Sequence, residues 1–147
     1  MNNEEKNNLK LIGKNEDDLK IVSAYLQDSI VIVKDIVFLK KNKTFIMILN
    51  RFMWEEAFRA NKRKRIRCAV KFEEVIEVQS KNINQKNKKK PLEYLAIEPI
   101  KISSGSFKIN IFFSGGGIIT IISEVIEVAL NDLGSPWNVE YFPAHKI

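Results

Sequence analysis

The sequence predicts an α+β protein built on one antiparallel sheet of about seven or eight strands, strongly bent or forming a partly open barrel. Between residues 29 and 122 the apolar residues recur mostly at every second position, as in strands. The connections between these segments are short, which favours antiparallel pairing because parallel pairs need long crossovers. Helical spacing is clearest in 16–27 and 123–133. These segments predict an N-terminal helix and a C-terminal helix that caps the sheet.

The N-terminal helix is predicted at 16–27. Asn15 is a favourable N-cap, and Asp17 and Asp18 lie in the first turn, where the helix dipole favours acidic side chains. Ahead of it, residues 1–8 are predicted to form a flexible tail and residues 9–12 a short edge strand.

The middle of the chain is predicted to be almost entirely strand. The predicted strands are 30–33, 36–40, 44–51, 66–72, 75–79, 92–97 with a continuation past Pro99, 107–113 and 118–122. Residues 52–61 fit either a continued strand or a turn of helix. Residues 82–90, NINQKNKKK, are predicted to form a flexible polar loop.

The run of glycines at 115–117 predicts a hairpin turn between two strands. Glycine adopts positive φ without steric cost, as tight hairpins require. A phosphate-binding loop would join a strand to a helix, whereas here an isoleucine-rich strand follows. We therefore interpret these glycines as structural.

The segment after this hairpin has the spacing of a capped helix. Ser123 is a suitable N-cap, and Gly134 with Pro136 would end the helix. The apolar stripe would consist of Ile126, Ala129, Leu130 and Leu133. Strands closed by such a helix resemble the order of elements in the pleckstrin-homology-like superfold.

Length and composition predict a single domain over 1–147 in the cytoplasm. No apolar run approaches the ~20 residues that a membrane span needs, so no membrane association is predicted. The N-terminus, MNNEEKNNLK, has no apolar core of a secretion signal. The lone cysteine, Cys68, indicates a reducing compartment and is interpreted as a small buried residue.

The sequence predicts no catalytic residue, no metal site and no cofactor. Its single histidine, His145, lies near the end of the chain, where a supporting shell is not expected. One histidine and one cysteine are too few for a zinc site, and the acidic pairs at 17–18, 55–56 and 73–74 are scattered.

A basic stretch is the candidate anion-binding site. The chain carries a net charge of +6, although an excess of Lys, Ile and Asn is also typical of an AT-rich genome. The alternative is a solvated loop that keeps a strand edge from pairing. The candidate anion-binding residues are Lys62, Arg63, Lys64, Arg65 and Arg67.

A second cluster, Arg51, Trp54 and Glu55, is the candidate interaction surface. Tryptophan and arginine are over-represented at binding hot spots. The same three residues are also compatible with a structural corner, or with a small enzyme that uses an Arg–Glu site.

Several segments together resemble the bacterial family catalogued as domain of unknown function 2948, best known from alphaproteobacteria. The resembling segments are LQDSIV at 26–31, LNRFMWEE at 49–56, SGGG at 114–117, and IEVALNDLG at 126–134 with Pro136 and Trp137 after it. The resemblance implies a small cytoplasmic bacterial protein and no particular activity. It also makes LNRFMWEE a candidate functional or assembly surface.

The leading functional hypothesis is therefore a non-enzymatic protein-binding module. Its partner is expected to be a protein, bound at a sheet edge or in the groove between the sheet and the C-terminal helix. The first alternative is a polyanion or nucleic-acid binder that uses residues 62–67, and the second is a small enzyme with a site near 51–55. The oligomeric state is left open.

Overall fold

A computed structural model describes residues 8–102 and 105–140, which form nine strands, two α-helices and one 3-10 turn. The elements are β1 (Lys10–Gly13), α1 (Glu16–Tyr25), β2 (Ile30–Leu39), the 3-10 turn (Lys40–Asn42), β3 (Thr44–Phe52), α2 (Trp54–Ala60), β4 (Lys64–Phe72), β5 (Val75–Lys81), β6 (Pro91–Lys101), β7 (Phe107–Phe113), β8 (Ile118–Ser123) and β9 (Val128–Asn138). In this part of the chain, no helix combines the length and the apolar character needed to cross a membrane.

The nine strands form one antiparallel sheet in the order β1-β9-β4-β3-β2-β6-β7-β8-β5. The sheet has two halves, β1-β9-β4-β3-β2 and β6-β7-β8-β5. They meet at a short contact, where residues 30–32 of β2 pair with residues 91–93 of β6. Both halves contribute to one hydrophobic core, and β1 and β5 remain as the two edges. The predicted α+β class with a mainly antiparallel sheet is therefore confirmed, and the sheet is open. The predicted count of seven or eight strands is too low, because the described residues form nine, including one in the segment predicted as the C-terminal helix.

Helix α1 packs on β6 and begins where the sequence predicts. The Asn15 side chain accepts a hydrogen bond of 2.8 Å from the backbone N–H of Asp18, which is the expected cap. On the core side, the hydroxyls of Ser23 and Tyr94 share a 2.6 Å hydrogen bond, and burial raises the pKa of Tyr94 well above its ordinary value. The helix ends at Tyr25, two residues earlier than predicted.

The predicted C-terminal capping helix is wrong. Residues 128–138 form β9, which pairs with β1 on one side and β4 on the other. Ser123 does not cap a helix, because its hydroxyl donates to the carbonyl of Val125 at 2.6 Å instead of accepting from an N–H group. The apolar spacing also fits period two: Ile126, Val128 and Leu130 are buried at every second position. Pairing with two distant strands therefore decided between two patterns that the sequence allows.

Gly134 and Pro136, predicted to stop a helix, lie in a bulge of β9. Arg65 and Arg67 of β4 pair with Trp137 and Leu133, so β9 has two more residues than β4 across this step. Gly134 has φ +69°, and a bulge tolerates proline because the ladder is locally interrupted. The groove predicted between the sheet and a C-terminal helix is therefore absent from the described residues.

The glycine hairpin between β7 and β8 is confirmed. The strands pair antiparallel from Phe107–Ser123 to Phe112–Ile118, and the N–H of Phe113 donates to the carbonyl of Gly117 at 2.8 Å. Gly115 and Gly116 have φ +84° and +85°. The turn thus needs the left-handed conformation at two consecutive positions, as the sequence predicts.

Replacing Gly116 by valine is expected to lower the free energy of unfolding by about 1–3 kcal/mol, because a β-branched residue is strained at positive φ. A Cβ at this position would meet no atom closer than 3.8 Å, so the cost is conformational and not steric. Urea denaturation followed by circular dichroism measures it. The matched control is Ser114→Val, at an exposed turn position without positive φ, where a change within about 0.5 kcal/mol is expected. Equal stability of the two variants would contradict the assigned turn.

Residues 82–90, predicted as a flexible polar loop, make specific contacts with both sheet halves. The carbonyls of Lys88 and Lys90 accept hydrogen bonds from the backbone of Lys34 and Val33 in β2. The side chain of Asn82 donates to the carbonyl of Gly116 at 3.1 Å, and Ile83 packs against the core. The loop therefore covers the gap between β2 and β5.

Candidate functional site

Arg51, one of the three residues of the candidate interaction surface, lies near the end of β3 on its inward face. Phe45, Met47 and Leu49 precede it on the same face, so alternation carries the arginine towards the core. Its side chain is 0% exposed, and it is the largest of the fully buried side chains. A buried guanidinium is stable only when its donors are satisfied by opposite charge.

Two carboxylates meet that requirement. Asp132 of β9 accepts from Nε and Nη2 of Arg51, both at 2.8 Å. Glu55 in the first turn of α2 accepts from Nη1 at 2.9 Å and Nη2 at 2.8 Å. Arg51 therefore bridges two carboxylates with paired hydrogen bonds on both sides, the geometry in which arginine differs most from lysine.

Asp132 is the residue of this cluster that the sequence interpretation missed. Its side chain is fully buried, and Oδ2 also accepts from the backbone N–H of Leu9 at 2.9 Å. It therefore ties β9 and the segment before β1 to β3. Recognising residues 128–132 as a strand would have placed Val128, Leu130 and Asp132 on one inward face, the signal that could have identified it.

The buried cluster has the electrostatics of a structural ion network. Burial lowers the pKa of Arg51, but the hydrogen bonds and charges of Asp132 and Glu55 raise it more, so the net pKa lies above the ordinary value. Two carboxylates and one guanidinium leave a net charge of −1. Glu55 is the member that reaches solvent, with 34% of its side chain exposed. The Arg51 guanidinium itself is enclosed by protein, with its side chain 0% exposed.

Aromatic side chains surround the exposed side of Glu55. Trp54 packs edge-on against Phe52 at 4.7 Å between ring centroids and stacks with Phe58 at 5.9 Å. The indole N–H of Trp54 donates to the carbonyl of Gln27 at 2.9 Å, which joins α2 to the end of α1. Phe58 is 81% exposed although it is a large apolar residue.

These side chains form a depression of about 410 Å³, which we call the aromatic groove. It lies between α1 and α2 and is lined by Ala24, Tyr25, Gln27, Trp54, Glu55 and Phe58. Of the three residues predicted as an interaction surface, Trp54 and Glu55 line the groove, whereas Arg51 is buried and paired with Glu55. Tyr25 and Phe58 also line the groove and were not predicted from the sequence. Of residues 52–61, for which the sequence allows strand or helix, Phe52 ends β3 and residues 54–60 form α2, the helix that carries this groove.

The basic stretch does not form one continuous exposed surface. Arg65 is buried, stacks over Phe52 at 5.7 Å and donates to the carbonyl of Asp28 at 3.0 Å. Arg63 donates to the carbonyl of Glu140 at 3.2 Å, and Arg67 lies 3.8 Å from Asp35. Lys62 is exposed and Lys64 is half-buried.

Other chemically active residues are not assembled into a site in the described part of the chain. Cys68 lies in the core, and burial raises the pKa of its thiol, which keeps the thiol protonated and unreactive. Over residues 8–102 and 105–140, no group of three or more His, Cys, Asp or Glu side chains is arranged to hold a metal ion. His145 lies outside the described residues.

Fold and site together define a small α+β protein with an open antiparallel sheet, a buried Arg–carboxylate network and an aromatic groove beside it. Residues 9–145 match the family model described as "Protein of unknown function (DUF2948)", and the chain belongs to that family. No curated protein and no solved structure matches the chain. The predicted family is therefore confirmed, whereas the pleckstrin-homology-like order of elements stays a prediction.

Proposed function

We propose that this protein is a non-enzymatic, cytoplasmic interaction module that binds a protein partner in the aromatic groove. The single observation that carries the proposal is Phe58, 81% exposed and stacked on Trp54. Leaving a phenylalanine in water forgoes roughly 1.5–3 kcal/mol of burial free energy. A partner that covers this ring would recover that energy, as at the aromatic anchors of protein interfaces.

The charge of the groove favours a basic partner segment. The chain carries a net charge of +6, but the network beneath the groove has a net charge of −1 and Glu55 is its exposed carboxylate. Faces of tryptophan, tyrosine and phenylalanine rings attract cations within about 6 Å of the centroid. The proposed ligand is therefore a peptide segment with Lys or Arg next to a bulky apolar side chain.

Selection from a phage-displayed library of random peptides tests this proposal. Peptides that pair a basic residue with a bulky apolar residue are expected to be enriched on the native protein. The strongest of these peptides should bind Phe58→Ala at least tenfold more weakly, the loss expected of an interface hot spot. The matched control is Ile100→Ala, which removes another exposed apolar side chain on β6 and should leave affinity unchanged.

Two outcomes would contradict the proposal. Selection that yields no peptide specific to the native groove, or equal affinity for Phe58→Ala, would remove the groove as a binding site.

A mobility shift of a DNA duplex at low salt, lost at higher salt and in Lys62→Glu, would instead favour the polyanion alternative. This alternative has less support than the groove, because Arg65 of the basic stretch is buried and donates to a backbone carbonyl within the protein. An enzyme site near 51–55 would depend on Glu55, since Arg51 is enclosed.

A further inference from the structure

A second cavity lies in the gap between β2 and β5, and its lining shares no residue with the aromatic groove. Beyond Ile32, β2 leaves β6, and β5 pairs along one edge with β8. A gap therefore separates β2 from β5, and residues 82–90 cover this gap. The volume of the cavity, which is open to solvent at its mouth, is about 260 Å³. An apolar cavity of about 150 Å³ in another protein already binds benzene, so this one has room for a small ligand.

The cavity is apolar inside and polar at its mouth. Val33, Phe45 and Ile119 form a buried floor that belongs to the hydrophobic core. The mouth is formed by Gln79, Ser80, Gln85 and Lys88, all exposed. Lysine supplies a cation. The Gln79 amide donates to Glu77 at 2.9 Å and the Gln85 amide to Ser80 Oγ at 2.8 Å, and each amide keeps a second N–H as a donor. The described lining residues include no acidic side chain, although Glu77 adjoins them.

We infer that this cavity binds a small amphipathic carboxylate, such as a medium-chain fatty acid, with its chain against Ile119 and its carboxylate beside Lys88. An apolar chain gains free energy by leaving water for the floor of the cavity. An anionic head at the mouth remains partly solvated and pairs with the lysine, which avoids the cost of burying a charge. Ligand sites in the mouths of open or closed β-barrels have this division into an apolar interior and a few polar contacts.

Titration calorimetry with octanoate, octanol and octylamine tests the inference, since the three probes share a chain length and differ in head group. Saturable binding is expected, with affinity decreasing from octanoate to octanol to octylamine. A negative heat-capacity change is expected as well, because the chain is buried on binding. No saturable heat from any probe, or tighter binding of octylamine than of octanoate, would overturn the inference.

A pair of charge-reversal variants then locates the head group. Lys88→Glu is expected to weaken octanoate binding about fivefold or more while leaving octanol unchanged. Lys89→Glu is the matched control: it changes the net charge equally, one residue away, at an exposed lysine that does not line the cavity. Equal effects of both variants on octanoate would overturn the placement of the carboxylate.

A cavity-filling variant checks the position of the chain. Val78→Phe enlarges a half-buried side chain of the cavity wall and is expected to abolish binding of octanoate and octanol alike. Circular dichroism verifies that this variant is folded. If it is not, Ser80→Trp, at an exposed position of the mouth, blocks entry without altering the core. Unchanged octanol binding in a folded blocking variant would overturn the assignment of the cavity.

Discussion

Replacing Arg51 by methionine is expected to lower the free energy of unfolding by about 3–5 kcal/mol. Methionine keeps most of the side-chain volume but removes the guanidinium that pairs with the Asp132 carboxylate. The carboxylate would remain fully buried with the backbone N–H of Leu9 as its described partner. An uncompensated buried charge is one of the few defects that cost this much in a single substitution.

Arg59→Met is the matched control for this prediction. Arg59 also forms a paired contact with a nearby carboxylate, at 2.8 and 3.0 Å from Glu56, but its side chain is 68% exposed. Its replacement is expected to cost less than about 1 kcal/mol because solvent screens the pair. Arg51→Lys should fall between the two, since it keeps the charge and loses the planar pairing.

Urea denaturation of the three variants measures these differences directly. Equal losses for Arg51→Met and Arg59→Met would contradict the conclusion that the buried network stabilises the fold. The network joins β3, α2 and β9, so a large loss would also mean that the floor of the aromatic groove depends on it.

Replacing Phe72 by alanine is expected to cost about 3–5 kcal/mol. Phe72 is buried at the end of β4, pairs in register with Phe45 on β3 and Val128 on β9, and its ring lies 6.2 Å from that of Phe45. Truncation removes apolar contacts with the two neighbouring strands and leaves a cavity that the paired strands cannot fill by moving together.

Phe58→Ala makes the same chemical change at an exposed position, and there the expected loss is within about 0.5 kcal/mol. The contrast between the two variants separates core packing from surface exposure. A large loss for Phe58→Ala would mean that its ring stabilises the protein, and the reduced peptide affinity expected of that variant would then reflect unfolding. Denaturation followed by circular dichroism avoids the tryptophan signal that this substitution perturbs.

Local patterns were sufficient wherever neighbouring residues decide the structure. Asn15 caps α1 through a contact three residues away, and the glycines at 115–117 form the turn that their backbone freedom allows. Alternation placed Cys68 in the core correctly. These features depend on φ preference, capping and periodicity, which are properties of short segments.

The segment at 123–133 shows where local patterns fail. The spacing of its apolar residues fits both a helix and a strand, so spacing alone does not decide between these two secondary structures. The choice was made by β4 and β1, which offer ladders of backbone hydrogen bonds on both edges of β9. Strand propensity depends on such context more than helix propensity does, and none of this context lies within the segment.

The same distinction between local patterns and long-range contacts applies to the candidate site. The amino-acid sequence alone determined the mainly antiparallel sheet, the hairpin, the first helix and the grouping of Arg51, Trp54 and Glu55, because these arise within short stretches of chain. Only the tertiary structure decided that Asp132, 81 residues from Arg51, completes the ion network, and that Arg65 turns inward while Phe58 stays in solvent. The physical reason is that burial of a charge depends on partners contributed by distant strands, which alternation within one strand does not specify.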